Sequence, residues 1–91
     1  MNITNIKIVK AVNQDKLKAY VSITISDALV IKDMKIISGA SGLFLSMPSK
    51  KDKNGEYRDI VHPVSKDARA VLEKAVFDEY NKQEEFSGSH E

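Results

Sequence analysis

Gly42 to Pro63 reads GLFLSMPSKKDKNGEYRDIVHP. The short apolar run Leu43-Phe44-Leu45 leads to Pro48, which has no N–H to give a ladder and so ends a strand. A basic loop comes next, with a turn signal at Asn54-Gly55. A second apolar run is closed by Pro63, which makes Asp59 to His62 a short strand or edge segment. The residues before this stretch read as strands in need of a covering face. Those after it read as one amphipathic helix able to supply that face. The expected architecture is α+β: an antiparallel sheet of four to five strands with one C-terminal amphipathic helix on one face.

Upstream, Ile3 to Lys10 has Ile6 and Ile8 on one side with Lys7 between them, a first strand. The polar break Asn13-Gln14-Asp15-Lys16 suits a hairpin loop. Lys18 to Ser26 is the clearest strand in the chain. Ala19, Val21, Ile23 and Ile25 point one way, and Lys18, Tyr20, Ser22, Thr24 and Ser26 the other. That strict period of two means one buried face and one solvated or partnered face. Ser26-Asp27 offers a tight turn. Ala28 to Ile37 is rich in β-branched residues but breaks alternation at Lys32-Asp33, which predicts a bulge or bend there. Gly39 and Gly42 bracket a second turn.

Downstream, Ser65 suits a helix N-cap, and Asp67 in the first turn suits the positive end of the helix dipole. Ala68, Val71, Leu72, Ala75, Val76 and Tyr80 then recur at three and four residues, one apolar stripe facing a core. Phe77 lies off the centre of that stripe. Residues 1–83 read as a single domain, and 84–91, with Glu84, Glu85 and Glu91, as a disordered acidic tail.

Composition excludes several classes. With no cysteine there is no disulfide scaffold and no thiolate metal site. Small secreted domains usually need such staples, so a cytoplasmic setting is expected. The longest uncharged stretch, Ile36 to Ser49, holds two glycines and a proline and falls short of the roughly 20 apolar residues of a membrane span. No membrane partner, cofactor or small-molecule substrate is implied. Net charge is +1, unevenly spread: +3 over 1–47, +2 over 48–58, −1 at Asp59, zero over 65–83 and −3 over 84–91. The body is modestly basic, a pointer to an anionic partner.

Catalysis is poorly supplied, and an enzyme is not expected. His62 stands three residues after Asp59, but closing a strand before Pro63 is the simpler role for it. No nucleophile motif surrounds Ser46, Ser49 or Ser65. The carboxylates Asp52, Glu56 and Asp59 are interleaved with lysines and an arginine, which speaks against a metal. Gly39-Ala-Ser-Gly42 lacks the lysine and helix N-terminus of a phosphate loop. The basic loop is the better candidate site. Lys50, Lys51, Lys53 and Arg58 lie within nine residues and can meet several phosphates, each contact releasing a counterion. Tyr57 can stack on an unpaired base. Lys66 and Arg69 at the start of the helix, with Lys74 beyond, either extend the patch or form the helix's ordinary solvent face, the commoner role of such charges. The competing reading is a solvated turn whose lysines keep an edge strand from aggregating.

At this loop the chain resembles the stage V sporulation protein G family of bacteria. The resemblance is carried by Asp27-Ala28-Leu29-Val30-Ile31, by Gly42 to Lys51 (GLFLSMPSKK), by Gly55 to Pro63 (GEYRDIVHP), and by Ala75 to Tyr80 (AVFDEY). It runs from about Met1 to Tyr80. It implies a small cytoplasmic regulator linked to sporulation and septum formation, binding specific DNA sites, with RNA bound by members too. It also implies a twisted antiparallel sheet with a C-terminal helix, paired as a homodimer through strand edges. Carried over, the nucleic-acid surface is Lys50, Lys51 and Arg58, then Lys53, Lys66 and Arg69. One departure stands out: the loop reads Lys51-Asp52-Lys53-Asn54-Gly55, where Arg-Thr-Pro-Asp-Gly or similar is the family pattern.

A second reading, from another class, is a protein-interaction adaptor of the division machinery. It would use a sheet edge or the face carrying Tyr20, and near-neutral overall charge favours it.

Overall fold

The computed structural model describes residues 1–12 and 15–89, of which 84–89 by backbone alone. Six strands precede one helix: β1 (Ile3–Lys10), β2 (Leu17–Ile25), β3 (Leu29–Gly39), β4 (Gly42–Ser46), β5 (Ser49–Lys51), β6 (Tyr57–Asp59) and α1 (Lys66–Ser89). The first four make an antiparallel meander in sequence order, and β5 with β6 makes a separate two-stranded ribbon. The α+β expectation holds, with the strands divided between two sheets.

Register follows the side chains. Ile8 lies opposite Val21, Val21 opposite Met34, and Ile36 opposite Leu45. Each of these is buried, so one face of the sheet is a continuous apolar layer. Leu72 and Val76 of α1 close it, with Met47 at the margin. Burying such side chains contributes about 1.5–3 kcal/mol each before ordering costs. None of the buried residues is polar among those described.

The turns carry their own chemistry. Ser26 and Asp27 both have positive φ, 53° and 52°, and the Ala28 N–H donates to the Ile25 carbonyl at 2.9 Å. Positive φ at both central positions is what a type I′ turn requires, and with Ile25 opposite Leu29 the loop holds three residues, Ser26, Asp27 and Ala28. The Asp27 N–H also donates to Thr4 Oγ1 at 3.0 Å, which ties the turn to β1. The break expected in β3 is a bulge: between Val21↔Met34 and Ile23↔Ile31, Ser22 faces both Lys32 and Asp33. Asp33 sits at φ 65° to allow it. A second bulge doubles Leu17 and Lys18 against Ile37.

Two sequence expectations are corrected. The second apolar run is not a strand: β6 covers Tyr57–Asp59, two residues earlier, and Ile60 to His62 lead away from it. The Ile60 N–H donates to the Pro48 carbonyl at 2.7 Å, which closes the base of the ribbon and ends the pairing. On α1 the stripe follows the row Ala68, Leu72, Val76, Tyr80. Val71, about 100° round from Leu72, is 47 % exposed, and Phe77 packs against the core instead. The N-cap is as read, with Ser65 Oγ accepting the Ala68 N–H at 3.1 Å. The helix is described to Ser89, so the expected tail falls partly on side chains, and at residues 90–91 wholly, outside the described residues. Asn13 and Gln14 of the first loop lie outside them too. No helix among the described residues is long and apolar enough to cross a membrane.

Candidate nucleic-acid interface

Pro48 ends the main sheet, and the chain turns into a ribbon that the sequence presents only as a basic loop. Ser49 pairs with Asp59, Lys50 with Arg58 and Lys51 with Tyr57. All six residues are exposed. Because strand side chains alternate, Lys50 and Arg58 share one face, and Ser49, Lys51, Tyr57 and Asp59 the other.

The tip is a three-residue loop, Lys53-Asn54-Gly55. The Gly55 N–H donates to the Asp52 carbonyl at 3.1 Å and the Asp52 N–H to the Glu56 carbonyl at 2.8 Å. Of the loop residues only Gly55 has positive φ, 84°, so the turn is not the two-residue Asn-Gly type but a longer one closed by a left-handed glycine. Asp52 organises it. Its Oδ1 accepts the Asn54 N–H at 2.9 Å and the Glu56 N–H at 3.0 Å. Its Oδ2 accepts Arg58 Nε at 2.7 Å. The Arg58 guanidinium first, and then these backbone N–H groups, hold the Asp52 carboxyl below its ordinary pKa. The charge that reads as a departure from the family pattern is thus the clamp that shapes this loop. An Asp two residues ahead of Asn-Gly is a recognised local capping signal, and sequence reasoning passed over it.

The six candidate residues separate into three groups. Lys50, Lys51, Lys53 and Arg58 line one open groove of about 460 Å³ together with Asp52, Asp59 and Ile60. Within it, Arg58 is bound to Asp52 and lies 3.7 Å from Glu56, so its charge is largely answered inside the ribbon. Lys50, Lys51 and Lys53 have no ion pair among the described residues. The Lys51 ammonium lies 6.0 Å from the centroid of the Tyr57 ring, which is 72 % exposed. Lys66 opens α1, exposed and without an ion pair among the described residues. Arg69 has a different task. Its Nη2 donates to the Leu45 carbonyl at 3.2 Å and its Nε lies 3.5 Å from Glu73. In the two-residue hairpin of β3 and β4, Leu45 is a non-hydrogen-bonded position. Its carbonyl therefore faces the open edge of β4, and Arg69 covers it.

His62 lines a separate apolar cleft of about 240 Å³ with Met1, Met34, Met47 and Leu72. It makes no hydrogen bond to Asp59 among the described residues.

The family model described as SpoVG matches residues 1–82. A Bdellovibrio bacteriovorus protein named "Putative septation protein SpoVG" is 49 % identical over 83 residues, covering 91 % of this chain and 76 % of that one. Its namesake in Lachnospira eligens is 48 % identical over 84 residues, covering 92 % and 96 %. Another, in Caldanaerobacter subterraneus, is 41 % identical over 91 residues, covering the full length of both chains. With the family model spanning both the sheet and the ribbon, this chain belongs to the SpoVG family.

Proposed function

We propose that this protein is a cytoplasmic nucleic-acid-binding regulator linked to septation and sporulation, which grips DNA, and RNA as well, with the β5–β6 ribbon of a homodimer. One observation carries the reading: Lys50, Lys51 and Lys53 are exposed on a projecting, internally clamped ribbon and lack ion pairs among the described residues, beside an exposed Tyr57. A preshaped ribbon loses little freedom on binding, and its ammonium groups release counterions from phosphates. Arg58 serves the ribbon's shape first, and Arg69 the helix-to-sheet contact. Lys66 stands as an auxiliary contact. The septation link rests on the names of the relatives. No catalytic step belongs to this reading.

Two copies are part of the proposal because one ribbon offers few phosphate contacts. Strands β1 and β4 each border the main sheet on one side only. Edge pairing between copies would satisfy their backbone groups and set two ribbons on one ligand.

Electrophoretic shift with a DNA duplex at two salt concentrations tests the reading. With four to six phosphate contacts per dimer, affinity is expected to fall roughly a hundredfold or more between about 50 and 200 mM salt. Lys50→Ala with Lys51→Ala should weaken binding to all sequences alike, as phosphate contacts do. Unchanged binding by that double variant would remove the ribbon from the site.

A further inference from the structure

The face of the main sheet away from α1 carries Tyr20 and is open to solvent. Register brings its side chains together from all four strands. One row across the sheet is Val9, Tyr20, Lys35 and Ser46. The neighbouring row is Lys7, Ser22 and the bulged pair Lys32 and Asp33. Beyond Tyr20 on the other side comes the bulged Lys18, then Ile37 and Phe44. Four lysines thus surround Tyr20, which is 45 % exposed, with Asp33 as the acid among them. Lys18 donates to the Asp15 carbonyl at 3.3 Å. Lys7, Lys32 and Lys35 have no ion pair among the described residues.

Two hollows lie on this face, and the second reaches the ribbon. Lys7, Val9, Tyr20, Ser22, Lys32 and Asp33 line one of about 260 Å³. Tyr20, Asp33 and Lys35 with Pro48, Ser49 and Ile60 line another of about 370 Å³. Ser49 is on the same ribbon face as Lys51, Tyr57 and Asp59. A track therefore runs from Tyr57 and Lys51, past Ser49, to Lys35 and Tyr20, and on to Lys7 and Lys32. It carries two exposed aromatic rings and five lysines, counting Lys18, against Asp33 and Asp59.

We propose that this track binds an unpaired nucleic-acid strand, with a base stacked on Tyr20 and phosphates on Lys7, Lys32 and Lys35. The inference rests on the nucleic-acid reading above and deepens it: the ligand class is single-stranded, and the sheet face is part of the site. Charge complementarity selects the occupant, since lysines outnumber acids along the track. The exposed Tyr20 ring selects the unpaired form. An exposed aromatic ring on a sheet can take the face of a single base, whereas paired bases keep their faces in the stack.

Fluorescence anisotropy with a labelled 20-nucleotide oligouridine, beside a DNA duplex of equal length, tests this. Tyr20→Ala is expected to weaken single-strand binding about tenfold, and Tyr20→Phe to keep it within about twofold. Duplex binding should be the same in both variants. Lys7→Ala with Lys35→Ala should lower the salt slope for the single strand by about one to one and a half. Irradiating the unaltered protein with a 4-thiouridine oligonucleotide should attach it to the tryptic peptide 19–32, which contains Tyr20. Equal single-strand binding by Tyr20→Ala, or no attachment at that peptide, overturns the proposal. A second copy seated on the face would show as loss of the dimer in Tyr20→Ala with strand binding unchanged, and overturns it too. If the unaltered protein binds neither probe, the nucleic-acid reading itself falls. If it binds and Tyr20→Ala is silent, only this inference falls.

Discussion

Asp52 accepts from two backbone N–H groups and one guanidinium, and so holds the ribbon tip in one shape. Its pKa is depressed in the folded chain. A depressed carboxyl stabilises the fold fully above its unfolded pKa, about 3.9, and that contribution is lost as pH falls through the lower folded value. An NMR acid titration should therefore move the Asn54 and Glu56 amide signals with a midpoint below about 3.9. Asp52→Asn should abolish that transition and free the Arg58 side chain; a midpoint at or above the ordinary value would contradict the clamp. The capping half of this clamp was signalled by Asp52 standing two residues ahead of Asn54-Gly55; the Arg58 half was not legible in the sequence. An aspartate among lysines reads as a subtraction from the charge of the loop, and only the closed hairpin brings its two oxygens to their donors. Asn54-Gly55 did mark the turn, but glycine alone takes the left-handed position, so the loop is one residue longer than that pair suggests.

Strand β2 and the start of α1 could be read directly because each pattern is local. Ala19, Val21 and Ile23 alternate without a break, and Ser65 stands one residue before the helix. Strand β5 could not be read. Ser49-Lys50-Lys51 has no apolar alternation, and its strand character comes from its partner. The apolar pair Ile60-Val61 drew the strand reading past Asp59, where Pro48 and Ile60 in fact end the ribbon. On α1 the 3.6-residue period put Val71 in the stripe and Phe77 off its centre, and the sheet beneath chose Phe77 instead. This choice has a measurable sign. Phe77→Ala should cost about 1–2 kcal/mol in urea unfolding, less than the roughly 3–5 of a fully buried phenylalanine. Val71→Ala should stay within about 0.5 kcal/mol. Equal costs would mean that the helix sits rotated from its described position.

For the whole molecule, a sheet with two open edges and a projecting ribbon is half of a symmetric assembly in the reading proposed above. Light scattering at micromolar concentration should give twice the chain mass, and a strict monomer would contradict the proposal. Arg69 bears on how the copies meet. By occupying the Leu45 carbonyl it takes one acceptor from the edge of β4, leaving the Leu43 end of that edge and β1 to pair. The lysines of the outer sheet face were invisible in the sequence for a reason of scale. Lys7, Lys18, Lys32 and Lys35 are spread over 29 positions, and each looks like an ordinary solvent-side residue of its own strand. Only the pairing register, bulges included, gathers them around Tyr20.

The left-handed residue Asp33 has a consequence for what this chain could lose. Ile31 and Met34 are three positions apart, which in an unbroken pleat would send them to opposite sides; one position fewer would align them without any distortion. The apolar layer could therefore do without the surplus residue. The frameshift is absorbed in the backbone so that Lys32 and Asp33 stand side by side on the outside, which places an acidic marker in a cationic field. A strand crossing that field has to pass around the marker, so the detour constrains its route where the lysines alone would leave it free.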